Sequence, residues 1–148
     1  MSHDLSPTLH VSNIVAKAHK RSAAIYCAFT SRNVDLLVHA YVTYVRPIVE
    51  HDSVVWSPYT VKDIDNIESV QRRFTKRLPG FGALTYAEHL RRLDIPSLES
   101  RRLHADLFYC YKMAFGYTDL QASDFFEMAP LSTTRDTFTS CIRSKVLL

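Results

Sequence analysis

Glycine is scarce in this chain, with three residues in 148. Tight hairpin turns and phosphate-cradling loops both rely on glycine at positions of positive φ. A hairpin-rich β protein is therefore disfavoured, and no P-loop, GxGxxG or GxSxG pattern occurs. Cysteine is sparse as well. Cys27, Cys110 and Cys141 are odd in number and show no CxxC or zinc-type spacing, so they read as reduced, small apolar side chains of an intracellular protein, nuclear or cytoplasmic. No apolar run approaches the roughly 20 residues of a membrane span, and Met1-Ser2-His3-Asp4 does not resemble a targeting segment. No membrane partner is expected. The seven histidines form no HExxH. Glu50, His51 and Asp52 are adjacent, but such a cluster beside Pro47 reads as structural, and the remaining carboxylates are scattered where two-metal chemistry would need them gathered. No catalytic residue, metal or cofactor is assigned.

What is present is apolar patterning and a block of positive charge. The hydrophobic fraction of 47% belongs to a folded chain, and a domain of this size hides about 70% of its unfolded surface. The net charge is only +3, yet residues 72–112 hold nine cationic against four acidic side chains while the flanks are close to neutral. Such a distribution points to a polyanion partner for one region.

Helical periodicity dominates. A first helix is predicted over about Leu9 to Phe29, with Val11, Ile14, Val15, Ala18, Ser22, Ile25, Tyr26 and Phe29 on its stripe. A second follows the N-cap Asn33 and meets Pro47, which ends or kinks it; Ile48 to Trp56 continues as a kinked piece. Thr60-Val61-Lys62-Asp63 caps a third, which stops at Pro79-Gly80. Thr85-x-x-Glu88 is a capping box for a short fourth helix ending near Leu93. Pro96-Ser97 opens a fifth, with Leu98, Leu103, Leu107, Cys110, Tyr111 and Ala114 on one side and Gly116 at its end. Phe125-Phe126 is read as one further turn capped by Ser123 or Asp124. The expectation is an all-α, thumb-like bundle of about five helices over residues 5–130, then an irregular tail, or a weak strand, over 131–148. Tyr41, Tyr44, Trp56, Phe74, Phe108, Tyr109, Tyr111 and Phe115 are read mainly as core packing, with Tyr44 and Tyr109 off the main stripes and so candidates for base stacking.

The third helix carries the sharpest signal. At about 100° per residue, Arg72, Arg73, Lys76 and Arg77 share an arc of roughly 140°, and Ile67, Val70, Phe74 and Leu78 lie opposite. Such a helix can dock into a core and still offer four charges to a phosphate backbone. An ordinary solvated face is the competing reading. The order of acidic residues early (Asp63, Asp65, Glu68) and basic ones late also suits the helix dipole.

Several stretches, taken in order, resemble the region downstream of the polymerase palm in reverse transcriptases of non-LTR retrotransposons, especially Jockey-like LINE elements. They are Ile14-Val15-Ala16-Lys17-Ala18-His19-Lys20-Arg21; Tyr41 to Glu50 with Val55-Trp56-Ser57-Pro58; Ile67 to Gly80; Tyr86-x-x-His89-Leu90-x-x-Leu93; and Leu98-Glu99-x-Arg101-Arg102-Leu103-x-Ala105-Asp106-Leu107 with Tyr111-Lys112. The resemblance implies a thumb-like helical domain that holds a template–primer duplex, here an RNA–DNA hybrid or another nucleic-acid backbone, beside the palm of a parent polymerase. The family's paired aspartates, in an aromatic-Ala-Asp-Asp hairpin, do not occur, so the chain alone is expected to be inactive in RNA-directed DNA synthesis. The phosphate contacts expected are Arg72, Arg73, Lys76 and Arg77, then Arg101 and Arg102, with Arg91 and Arg92 extending the surface. The rival expectation is a protein-interaction or self-associating helical domain derived from a decayed element.

Overall fold

Caps and stop signals divide the chain as the sequence predicts. In this computed structural model the residues described are 7–120 and the strand segments 126–128 and 142–144. The fold is all-α apart from that short strand pair. Helix α1 spans Thr8–Ala28 and α2 spans Val34–Tyr44. Asn33 caps α2, its side-chain oxygen accepting from the Leu36 amide at 3.1 Å. Helix α3, Arg46–Glu50, begins one residue later with Pro47 in its first turn, where the missing N–H costs no helical bond. A left-handed Asp52 (φ 51°) separates it from the single turn α4, Ser53–Trp56. The expected kinked continuation is thus two short helices.

Helix α5, Val61–Lys76, is capped by Thr60, whose hydroxyl oxygen accepts from the Asp63 amide at 3.2 Å. Helix α6, Tyr86–Leu93, carries the predicted capping box: the Thr85 hydroxyl oxygen accepts from the Glu88 amide, and the Glu88 carboxylate accepts from the Thr85 amide at 2.8 Å. Helix α7 spans Leu98–Ala114. It closes on a left-handed Gly116 (φ 70°), with the Tyr117 amide donating to the Lys112 carbonyl and the Gly116 amide to that of Met113. This is the pair of bonds that a glycine at this position permits.

The chain divides into two compact units, Met1–Ala105 and Asp106–Leu148, the division falling inside α7. In the first unit α1 lies most extensively along α5. The two run in the same direction. Thr8 donates to Asp63 Oδ2 at 2.9 Å near their first turns, and the Tyr26 hydroxyl donates to the Phe74 carbonyl at 2.7 Å near their last. Phe74 is the centre of the core, with Tyr41 of α2 stacked 4.5 Å from it and Tyr26 of α1 5.0 Å away. Val11, Val15, Ala18, Leu37, Val45, Val49, Ile67, Val70 and Leu98 are among the residues packed around it.

A polar row runs beside this apolar stripe. Glu68, Gln71 and Thr75 recur at helical spacing on α5, and all three are buried. Glu68 is 6% exposed. Its carboxylate accepts from the Tyr86 hydroxyl and from the amides of Leu98 (3.3 Å) and Glu99 (3.1 Å). A carboxylate at the first amides of a helix satisfies orphan donors and suits the positive end of the dipole. Gln71 accepts from the Tyr41 hydroxyl and donates to the Pro96 carbonyl at 3.0 Å. His89 of α6 bridges the Thr75 hydroxyl (3.0 Å) and the Phe81 carbonyl (2.8 Å). Glu68, one of the early acidic residues whose order suits the helix dipole, is an internal joint.

The second unit departs further. Leu107, Phe108, Tyr111 and Phe115 are all exposed, so their expected core role is not what the described residues show. Phe126–Met128 and Ile142–Ser144 pair as antiparallel strands. The weak strand allowed in the tail is present at 142–144. Phe126 opens a strand where a helical turn was expected, and the capping residues named for that turn, with Cys141, lie outside the described residues.

Glu68→Ala leaves three donors without their acceptor, so we expect a stability loss of about 3 kcal/mol, against about 1 kcal/mol for Tyr86→Phe. Urea denaturation of both variants measures this; an unchanged midpoint for Glu68→Ala would mean that α7 is not pinned there.

Candidate nucleic-acid interface

Because Ile67, Val70 and Phe74, with Leu78 just beyond the helix, are pressed into the core, the opposite face of α5 has to be outward. Arg72, Arg73, Lys76 and Arg77 are all exposed there. Local contacts do little to occupy them. Arg72 stands 3.8 Å from Asp65, both exposed; such a pair is worth about 0–1 kcal/mol and is screened by salt. Its guanidinium also lies over the Tyr86 ring at 5.3 Å. Arg77 lies over the Tyr26 ring at 4.5 Å, which orients the guanidinium without cancelling its charge. Arg91 and Arg92 are exposed in the last turn of α6, where cations are favoured by the dipole.

Arg101 and Arg102 are placed differently. Glu68 fixes the first turn of α7 so that Leu98 points inward, and Arg102, four residues on, shares that face. Arg102 is 4% exposed. Arg101 turns instead to Glu50 of α3, which it grips with two bonds at 2.5 and 3.0 Å, and that hydrogen bonding raises its pKa further. Glu50 also lies 3.6 Å from Arg46. The second phosphate contact expected from Arg101 and Arg102 is therefore not on offer at this surface: one is buried and the other is committed to a carboxylate. The Glu50 cluster has a structural occupation, and the described residues contain no group of three or more His, Cys, Asp or Glu side chains placed to hold a metal.

Residues that sequence reasoning did not assign to the site stand next to the cations. His19, Ser22 and Tyr26 of α1, with Val70, Arg73, Phe74, Lys76 and Arg77, line an open groove of about 360 Å³. None of these lining residues is acidic. Burial, and then the charge of Arg73, lowers the His19 pKa, which favours the uncharged ring. The Ser22 hydroxyl is buried and has no hydrogen-bond partner among the described residues; a hydroxyl left in that condition costs about 1–3 kcal/mol. The signal for Ser22 was present in the sequence as a polar residue on the core stripe of α1. Of the two aromatics set apart for base stacking, Tyr44 is exposed and Tyr109 half-buried.

A comparison with family models, with curated proteins and with solved structures finds no match for this chain. No helix among the described residues is long and apolar enough to cross a membrane.

Burial raises the Tyr26 pKa from 10.0 to about 12, with Arg77 and then Arg32 pulling against it. Burial raises those of Tyr41 and Tyr86 as well, with Glu68 acting in the same direction. Groups of this kind favour the folded state fully below pH 10, and that contribution is lost as pH rises through the folded pKa. We expect Tyr26→Phe to be less stable than the parent at pH 9, where the bond to Phe74 is lost, and the gap to narrow by pH 11. Urea midpoints at the two pH values test the sign; a constant gap would mean that Tyr26 titrates as it does in the unfolded chain.

Proposed function

We propose that this chain is a nucleic-acid-holding helical domain that grips phosphates through Arg72, Arg73, Lys76 and Arg77, with Arg91 and Arg92 extending the surface. The observation that carries the reading is that Arg72, Arg73, Lys76 and the C-cap residue Arg77 are all exposed while the other side of the same helix is core. The weak pairing of Arg72 and the absence of any acidic side chain among the groove-lining residues support it. The resemblance of the ordered motifs to those of Jockey-like LINE reverse transcriptases supports a thumb-like role beside a polymerase palm, on an RNA–DNA hybrid. Within that role the chain positions a duplex and performs no chemistry. Phosphate contacts of this kind orient a duplex without reading its bases, so no sequence preference is expected.

Four neutralised phosphates give a slope of about −3.6 in log K against log salt, a loss of roughly a hundredfold between 50 and 200 mM. Replacing Arg72, Arg73, Lys76 and Arg77 together by Ser should remove most of that slope, measured by fluorescence anisotropy on an RNA–DNA hybrid. Equal affinity and slope for the variant would refute the assignment.

The exposed apolar arc of the second unit favours a second reading. Leu107, Phe108, Tyr111 and Phe115 lie within about 100° of one another on a helical projection, and Leu107 is 69% exposed. An apolar surface of this sort suits self-association, or a protein partner such as a palm domain. Sedimentation at several concentrations in about 1 M salt, where ionic contacts are screened, separates the readings: oligomers that persist favour it, and a monomer at every concentration removes it.

A further inference from the structure

The outer side of α7 within the second unit is apolar where a surface helix is normally charged. Leu107, Phe108, Tyr111, Ala114 and Phe115 are all exposed, and they fall within about 120° of one another on a helical projection. Met113 lies on the opposite side of the helix and is buried. Asp106 and Lys112, the two charged side chains of residues 106–115, fall outside that arc. Lys112 stands at its edge, its ammonium 4.7 Å from the centre of the Phe108 ring. The rings of Tyr111 and Phe115 are in contact, 4.4 Å between centres, so part of the side-chain ordering that association requires is already in place.

We propose that this face pairs with the same face of a second copy of the chain, the two helices lying antiparallel about a two-fold axis at Tyr111. This rests on the self-association reading above and deepens it. In that arrangement Tyr111 meets its own counterpart. Phe108 falls beside Phe115 of the second copy on one flank, and Leu107 beside Ala114 of the second copy on the other. Ring meets ring, and a bulky side chain meets a small one, which is how facing helices interdigitate. A parallel pair would crowd Phe108 against Leu107 at one end and leave Phe115 against Ala114 at the other, an uneven seam. The face carries no charge that would select an unlike partner, and its two ends complement each other, as a two-fold interface requires. A covered aromatic side chain buries about 150–250 Å², so these five partly exposed side chains offer an apolar area of roughly 450 Å². Two such faces with their polar rims come to about 1,000 Å², the lower limit of a specific interface. The dimer is accordingly weak, with a Kd on the order of 10 µM. The net charge of +3 opposes it little. The two Lys112 side chains share one edge of the seam, so association strengthens as salt rises, the reverse of phosphate binding.

Sedimentation of the full chain in about 1 M salt, where ionic contacts are screened, should show a monomer–dimer equilibrium. Leu107→Glu changes a position that is 69% exposed, so it should weaken association about tenfold or more and leave the thermal midpoint unchanged. Cross-linking tests the register, in a background of Cys27→Ser, Cys110→Ser and Cys141→Ser. Oxidation of a mixture of Phe108→Cys chains and mass-tagged Phe115→Cys chains should give the mixed dimer in excess over either self-linked product. The two 108 positions lie about 9 Å apart along the pair, beyond the roughly 7 Å that a disulfide spans between Cα atoms. This measurement leaves Leu107 in place and keeps the pairing falsifiable if the glutamate variant misfolds. A wild-type chain that stays monomeric at every concentration overturns the pairing and the self-association reading together, and leaves the face to a different protein. Oligomers that persist in a folded Leu107→Glu overturn the pairing through α7 while self-association stands. Absence of the mixed product from a chain that still dimerises overturns the antiparallel register.

Discussion

One carboxylate sets the relation between α5, α6 and α7. Glu68 lies inside the first unit, bonded to the hydroxyl of Tyr86 and to the opening amides of α7. A buried charge is tolerable only when its surroundings supply hydrogen bonds in place of water, and these three donors come from two different helices. The consequence reaches the surface. With the first turn of α7 fixed, Leu98 and Arg102 face inward and Arg101 meets Glu50. Of the basic residues between positions 72 and 102, those left outward are Arg72, Arg73, Lys76 and Arg77 at the end of α5 and Arg91 and Arg92 in the last turn of α6.

Local chemistry was legible where it depends on nearest neighbours. The caps at Asn33, Thr60 and Thr85 and the stops around Pro79-Gly80 and Gly116 are short-range devices, and each is present. The two-faced character of α5 was legible for the same reason, since a projection of Arg72 to Arg77 against Ile67 to Leu78 needs only the helical repeat. Glu68, Gln71 and Thr75 were harder. Their spacing matches a second inward stripe, but polar residues at that spacing look like a solvated edge unless the partners Tyr41, Tyr86, His89 and Pro96 are known to converge on them, and that convergence is tertiary.

The same limitation explains Arg101, Arg102 and the aromatics of α7. A basic pair in a helix reads as surface until one learns which turn of the helix is clamped. Phe108, Tyr111 and Phe115 read as core because long apolar side chains at helical spacing are normally covered. Here they are exposed, and nothing in the periodicity of α7 distinguishes a stripe that finds a neighbour within its own fold from one that does not. Ser22 sits between these cases: its position on the α1 stripe foretold burial, while its lack of a partner could be seen only with α5 alongside.

The stacking of Arg77 on Tyr26 has a consequence for how a surface cation performs. A free arginine samples many rotamers and loses that freedom when it grips a ligand. A guanidinium already resting on a ring that is itself tethered to Phe74 has surrendered much of the freedom in advance, so less is forfeited at the moment of capture. A lysine at 77 would keep the charge but not the planar fork that lies flat on the ring, and the side chain would return to wandering.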